Sequence, residues 1–281
     1  MSDFDGFSEF TVGSVIGRAW TVMWRKPMAF FTITLLSTII SFIMGGMLTF
    51  ILVKLFSWFN MPPGVSFLTA GIGGGFSFLI VSAIFQGALI YVIFMLLLHG
   101  QASIGEAFQR STSRVLTIIL ASVIMGLAVG LIFFVPAILA AFLGAVVPGN
   151  FSALLVIVFT IAAMVFGVIF VIKWSVFAPA CVIERTGATA SLSRSSDLTE
   201  GFRGKIFAIF LLVGILVGIF NAIAGFFNNK IFGAGILGSI FSAILSTPPL
   251  TFFSVLPAVI YFSLRVAKES LAPESLADIF D

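Results

Sequence analysis

Long uncharged stretches dominate this chain. Residues 27–53, 55–98, 115–172, 206–229 and 231–264 contain no Asp, Glu, Lys or Arg. Each exceeds the roughly 20 apolar residues that carry a helix across about 30 Å of hydrocarbon. Two of them are too long for one crossing and are divided by turn-forming residues. The cluster Trp58-Phe59-Asn60-Met61-Pro62-Pro63-Gly64 opens the second run, and Pro148-Gly149-Asn150 splits the third. Asn228-Asn229-Lys230 separates the last pair. The pattern predicts an all-α polytopic fold of six transmembrane helices, at about 28–56, 72–98, 115–146, 151–177, 205–227 and 239–264.

Composition agrees with that architecture. Of 281 residues 60% are hydrophobic and 9% charged, and the mean hydropathy is +1.24, whereas soluble domains carry about a quarter charged residues. The segments before Pro27 and after Leu264 are too short for a separate core, so residues 1–281 read as a single membrane domain. The acidic start, Met1-Ser2-Asp3-Phe4-Asp5, does not resemble a removable signal peptide. One cysteine, Cys181, excludes an internal disulfide and a cysteine-based metal cluster. The net charge of +3 is ordinary for a membrane protein and implies no nucleic-acid partner.

The charges orient the helices. Twelve of the 14 Lys and Arg residues, all but Lys54 and Lys230, lie in the four segments 1–27, 99–114, 173–205 and 265–281. Six crossings place these segments on one side, which the positive-inside rule makes cytoplasmic, with both termini inside. Arg18, Arg110 and Arg194 each precede a spanning helix, 92 and 84 residues apart. This recurrence predicts three parallel helix-pair repeats, about 10–98, 99–177 and 178–264, each preceded by a cytoplasmic amphipathic segment and followed by a short tail, 265–281. In 105–116, Ala107, Phe108, Ser111 and Val115 make one stripe, while Glu106, Gln109, Arg110 and Ser113 face away. Such a helix can lie in the headgroup layer with its Arg near lipid phosphates. The pairs Ser37/Ser41, Gly126/Gly130 and Gly214/Gly218 mark helices one, three and five as the closely packed inner set.

Candidate chemistry is sparse. The six predicted helices contain no Asp or Glu, although intramembrane enzymes and ion-coupled transporters rely on such groups. His99 stands alone at the end of helix two and reads as an interfacial polar residue. Gly71-Ile72-Gly73-Gly74-Gly75 lacks the strand and Lys of a phosphate loop and reads as a kinked helix start. No metal or cofactor site is expected. The densest polar segment, Lys173 to Lys205, reads as an ion-paired elbow or an anion site.

Within it, Pro179-Ala180-Cys181-Val182-Ile183-Glu184, Gly187 and Ser191-Leu192-Ser193-Arg194-Ser195-Ser196-Asp197-Leu198-Thr199-Glu200-Gly201 follow the pattern P-x-x-x-x-E … A-x-x-R-S-x-x-L-T-x-G. Tyr261-Phe262-Ser263-Leu264-Arg265-Val266-Ala267-Lys268-Glu269 follows Y-x-D-L-R-x-x-K-E, with Ser263 and Ser191 departing from the usual Asp and Ala. Over about 170–270 the chain thus resembles the glycerophosphoryl diester phosphodiesterase membrane-domain family and the related YciC-like bacterial membrane proteins. The resemblance implies a multi-pass bacterial inner-membrane protein; in some relatives a soluble phosphodiesterase domain follows, and since these residues contain none, no phosphodiesterase activity is expected.

Residues and resemblance together point to a non-enzymatic module that scaffolds, or binds anionic phospholipid or a membrane protein partner, at the inner face. Arg18, Arg110, Arg194, Arg203 and Arg265 are the expected ligands, with Glu184 as an orienting partner. The alternative is a transporter or channel for a lipid or other apolar solute. A third reading, an intramembrane enzyme, would need His99 close to Glu184 in a pocket.

Overall fold

Backbone groups in hydrocarbon find no water, so an uncharged run closes its hydrogen bonds internally as helix. The computed structural model, which describes residues 10–59, 65–99, 103–146, 150–233 and 235–269, is helical almost throughout and has no strand among these residues. In chain order the elements are α1 (Val12–Arg25), α2 (Pro27–Trp58), α3 (Val65–His99), α4 (Ile104–Thr112), α5 (Val115–Val146), α6 (Asn150–Lys173), α7 (Phe177–Ile183), α8 (Ala188–Thr199), α9 (Arg203–Ile231) and α10 (Ile236–Glu269). Six of them, α2, α3, α5, α6, α9 and α10, are long and apolar enough to cross a membrane. The chain is a multi-pass membrane protein.

Several helix ends differ from the sequence expectation, and α10 runs from Ile236 to Glu269, beyond both expected ends. Helix α3 begins at Val65, seven residues before the expected start, because the glycines at 71–75 are accommodated within a continuous helix. Helix α6 stops at Lys173, since a turn over 174–176 redirects the chain into α7, whose first turn tolerates Pro179. Helix α9 runs through Asn228-Asn229-Lys230 to Ile231 and ends where Gly233, at φ 66°, takes the left-handed conformation. Of the expected turns at 58–64 and 148–150, residues 60–64 and 148–149 lie outside the described residues, as does most of the tail.

The helices expected to pack innermost are not the central ones. In the most apolar windows, 67% of α3 and 61% of α10 is buried, against 6–17% for α2, α5, α6 and α9. Ile90, Ile93 and Leu96 of α3 meet a core that includes Leu256, Ile260 and Phe262 of α10, with the Phe94 and Phe262 rings 5.8 Å apart edge to face. Gly126, Gly130, Gly214 and Gly218 instead face open space. A small-residue pair permits close approach but does not supply a neighbour. The close approaches are elsewhere: the position of a Cβ on Gly45 lies 3.5 Å from the Gly74 backbone, so α2 and α3 nearly touch.

The short helices gather at one end of the bundle, here the charged face. Thr11 and Ser14 cap α1 reciprocally, each side chain accepting from the other's backbone N–H. The Arg25 guanidinium donates to the Leu96 carbonyl near the end of α3 at 3.4 Å, and Lys205 Nζ donates to the Phe10 carbonyl at 3.0 Å. In α4, Ala107 and Ser111 are buried and Phe108 half-buried, while Glu106, Gln109 and Arg110 are exposed. That stripe is covered by α3, with Phe108 edge-on to Phe85 at 5.3 Å. The three short helices that precede α2, α5 and α9 do not share one packing. α1 lies on α10 and α9, α4 on α3, and α8 chiefly on α7 and α5.

Candidate functional site

The charged segment after α6 folds back because its small polar residues complete a helix end. The last carbonyls of an α-helix lack intrahelical partners. On α8, Ser195 and Thr199 stand one turn apart on the buried face and donate to the Lys173 carbonyl at 3.0 and 3.2 Å. Ser195 Oγ also accepts from the Val176 N–H at 3.2 Å. This seats α8 against the end of α6 and sets the position of Arg194.

Arg194 is the centre of the network. Its Nε donates to both oxygens of Glu184, at 2.8 and 3.0 Å, and its Nη2 donates to Glu269 Oε1. Arg265 Nε donates to Glu269 Oε2 at 2.8 Å, one turn away on α10, and lies 4.0 Å from Glu184 Oε1. The Tyr261 hydroxyl donates to Glu184 Oε1 at 2.7 Å. Two guanidiniums and two carboxylates cancel, so the loop after α7, α8 and α10 are tied by a neutral, mutually hydrogen-bonded cluster. Burial draws the Arg194 guanidinium down, but its bonds to Glu184 and Glu269 outweigh that and hold it above the ordinary arginine range.

The residues expected to act together divide into separate places. Glu184, Arg194 and Arg265 meet in the network. Arg18 joins its edge from α1, donating to Ser263 Oγ at 3.1 Å, and burial lowers its pKa. Arg110 lies apart, paired with Glu106 at 3.1 Å and placed over the Tyr91 ring at 5.7 Å. It borders a cavity with Arg114 and Arg185 instead. Arg203 stands at a groove between α6 and α9. The side chain of His99 lies outside the described ones, so its distance from Glu184 is not part of this geometry.

Tyr261 and Glu269 complete the network, and Arg114 and Arg185 complete the Arg110 cavity. None of these four stood among the expected site residues. The first two had a signal, since both fall in the motif 261–269. Arg114 and Arg185 had only their charge, because a fold contact 71 residues long joins them. Residues 179–201 and 261–269 supply every member of the network. No family model, curated protein or solved structure matches the chain. What identifies it is therefore its architecture, a six-span all-helical membrane protein whose charged face is tied by a network of two arginines, two glutamates and a tyrosine.

Proposed function

We propose that this protein is a non-enzymatic membrane module that binds anionic phospholipid at its charged face and scaffolds a lipid or envelope process there. On this reading the charged face is the cytoplasmic side of a bacterial inner membrane, following the bias of Lys and Arg toward it. The observation that carries the lipid reading is a groove of about 640 Å³ between α6 and α9. Its walls are apolar, with Met164, Val168 and Ile172 opposite Phe207 and Leu211, and Arg203 is among the residues that line it. The Arg203 Nε is buried and has no hydrogen-bond partner among the described residues. Leaving such a donor unmet costs about 1–3 kcal/mol, and a phosphate oxygen supplies the missing acceptor while an acyl chain fills the apolar walls.

The neighbouring Gly204 lines the groove and has nothing within 4 Å of a Cβ, so a side chain can start there without a clash at its first atom and occupy groove space. Anionic phospholipid retained through purification, counted by mass spectrometry, is expected to fall about tenfold in Arg203→Gln and in Gly204→Phe. Undiminished retention in both variants would remove the basis of the lipid reading.

One observation favours a second reading, a passage for a lipid or other solute. A cavity of about 340 Å³ between α2, α3 and α10 is lined by Thr34, Ser37, Ser41, Ser82, Gln86 and Ser254 among others. The hydroxyls of Thr34 and Ser41 are buried without a hydrogen-bond partner among the described residues. Polar groups at membrane depth are costly and mark solute paths. In a Cys181→Ala background, single cysteines at 41 and 254 are expected to react with a membrane-impermeant thiol reagent added from either side. Protection of both positions from both sides would count against a passage.

A further inference from the structure

A second basic site lies on the charged face, away from the network and the α6–α9 groove. Three arginines border it from different parts of the chain. Arg110 comes from the last turn of α4, Arg114 from the turn before α5, and Arg185 from the loop after α7. They border a cavity of about 310 Å³ together with Tyr91, Ser113 and Val182. Glu106 is the carboxylate paired with any of the three among the described residues, through Arg110. Glu184, beside Arg185 in sequence, is turned away and engaged by Arg194 and Tyr261. Three guanidiniums against one carboxylate leave the site at +2.

The site is built rather than incidental. Arg114 Nη1 donates to the Arg185 carbonyl at 3.3 Å, tying the two segments together. Arg185 is held at φ 54°, the one non-glycine residue with a positive φ among the described residues. Such a conformation is unfavourable for a residue with a Cβ and persists where the surroundings enforce it. Arg110 is oriented by its pairing with Glu106 and by the Tyr91 ring. The Tyr91 hydroxyl also reaches Glu106 Oε1, at 3.5 Å. Three like charges bordering one cavity repel one another unless an anion joins them.

We infer that Arg110, Arg114 and Arg185 form a binding site for a phosphate monoester. A monoester phosphate carries between about −1.5 and −2 at pH 7 and offers three strong acceptor oxygens, which matches the charge and the donor forks of three arginines. The cavity has room for a small group attached to the phosphate. This ligand is the headgroup of a phosphomonoester lipid or a soluble phosphate ester. The inference rests on the anionic-lipid reading only in its use of Arg110; the groove and Arg203 play no part.

The test uses the full chain in zwitterionic nanodiscs, with inorganic phosphate titrated at constant ionic strength and binding followed by calorimetry. A parallel arm without free phosphate compares nanodiscs containing phosphatidic acid, a monoester, with others containing phosphatidylglycerol, a diester, at equal mole fraction. Retained lipid is then counted by mass spectrometry. Saturable phosphate binding assigns a soluble ester, and selective retention of phosphatidic acid alone assigns a lipid headgroup. In either arm binding is expected to weaken tenfold or more in Arg114→Gln and in Arg185→Gly, and to be unchanged in Lys54→Gln, a cation near the far end of α2 that borders neither the cavity nor the groove. Arg185→Gly removes the guanidinium while supplying the residue best suited to φ 54°, so its thermal midpoint is expected to hold or rise. That separates a lost ligand from a lost fold. Absence of binding in both arms, or full binding in either arginine variant, overturns the site, whatever happens to lipid in the groove.

Discussion

Replacing Arg194 by Met is expected to produce the largest loss of stability of any single change on the charged face. The substitution keeps much of the side-chain volume but leaves Glu184 and Glu269 facing a cavity that their shared cation had occupied. Breaking a fully buried pair from one side costs about 3–5 kcal/mol. The side chains here retain 17–30% exposure, so solvent recovers part of that and a loss of about 2–4 kcal/mol is expected. Unfolding in mixed micelles measures it. Much of the loss comes from the stranded carboxylates, so adding Glu269→Gln to Arg194→Met is expected to restore part of it. In the wild-type background the same Glu269→Gln change is destabilising, because it removes an acceptor from Arg194 and Arg265. That sign reversal is the signature of a coupled network. If Glu269→Gln costs the same in both backgrounds, the network does not behave as one unit.

Gly87→Leu is expected to have the next largest effect, this time through packing. A Cβ at Gly87 would stand 3.1 Å from the Ser111 Cβ and 3.3 Å from the Ile118 Cδ1. Alanine needs its neighbours to yield by only a few tenths of an ångström and gains about 1 kcal/mol in helix propensity, so Gly87→Ala should be near neutral. Leucine adds atoms that must displace α4, and overpacking of this kind costs about 1–3 kcal/mol. Because α4 carries Arg110 and the following turn carries Arg114, phosphate binding should fall together with the thermal midpoint. Gly126→Leu provides the comparison, since nothing lies within 4 Å of a Cβ there and the new side chain meets only the surroundings. Equal losses in Gly126→Leu and Gly87→Leu would mean that helix length or hydropathy, not the α3–α4 contact, is responsible.

These two sites also show why some features were legible in the sequence and others were not. The stripe on α4 follows from periodicity alone, and its buried and exposed residues fall where a helical repeat puts them. The cover over that stripe is another matter. Nothing in residues 105–116 distinguishes a face laid on lipid from one laid on α3, because both surroundings are apolar. Gly87 decides it by letting the two helices meet. Glycine count was misleading for the same reason: Gly126, Gly130, Gly214 and Gly218 have the spacing of contact residues without a partner opposite, whereas Gly45 and Gly87 have the partner.

The charged residues divide in a similar way. Their confinement to one end of the bundle could be read from the runs that exclude them. Their pairing could not. Arg194 and Glu269 are 75 residues apart, and Tyr261 and Glu184 are 77 apart, so the neutral network exists only once α10 has packed against α7 and α8. Arg114 and Arg185 meet across 71 residues and turn a single sequence candidate, Arg110, into a three-guanidinium site.

The sequence by itself determined the six spans and the end at which the short charged helices gather. In hydrocarbon each crossing must satisfy its own backbone, so local composition is sufficient to specify it. Only the tertiary structure decided that α3 and α10 are central, which carboxylate each arginine meets, and which basic residues remain together without enough acid. Helices already stable in lipid associate through shape and a few polar contacts, and those depend on residues brought together from distant parts of the chain.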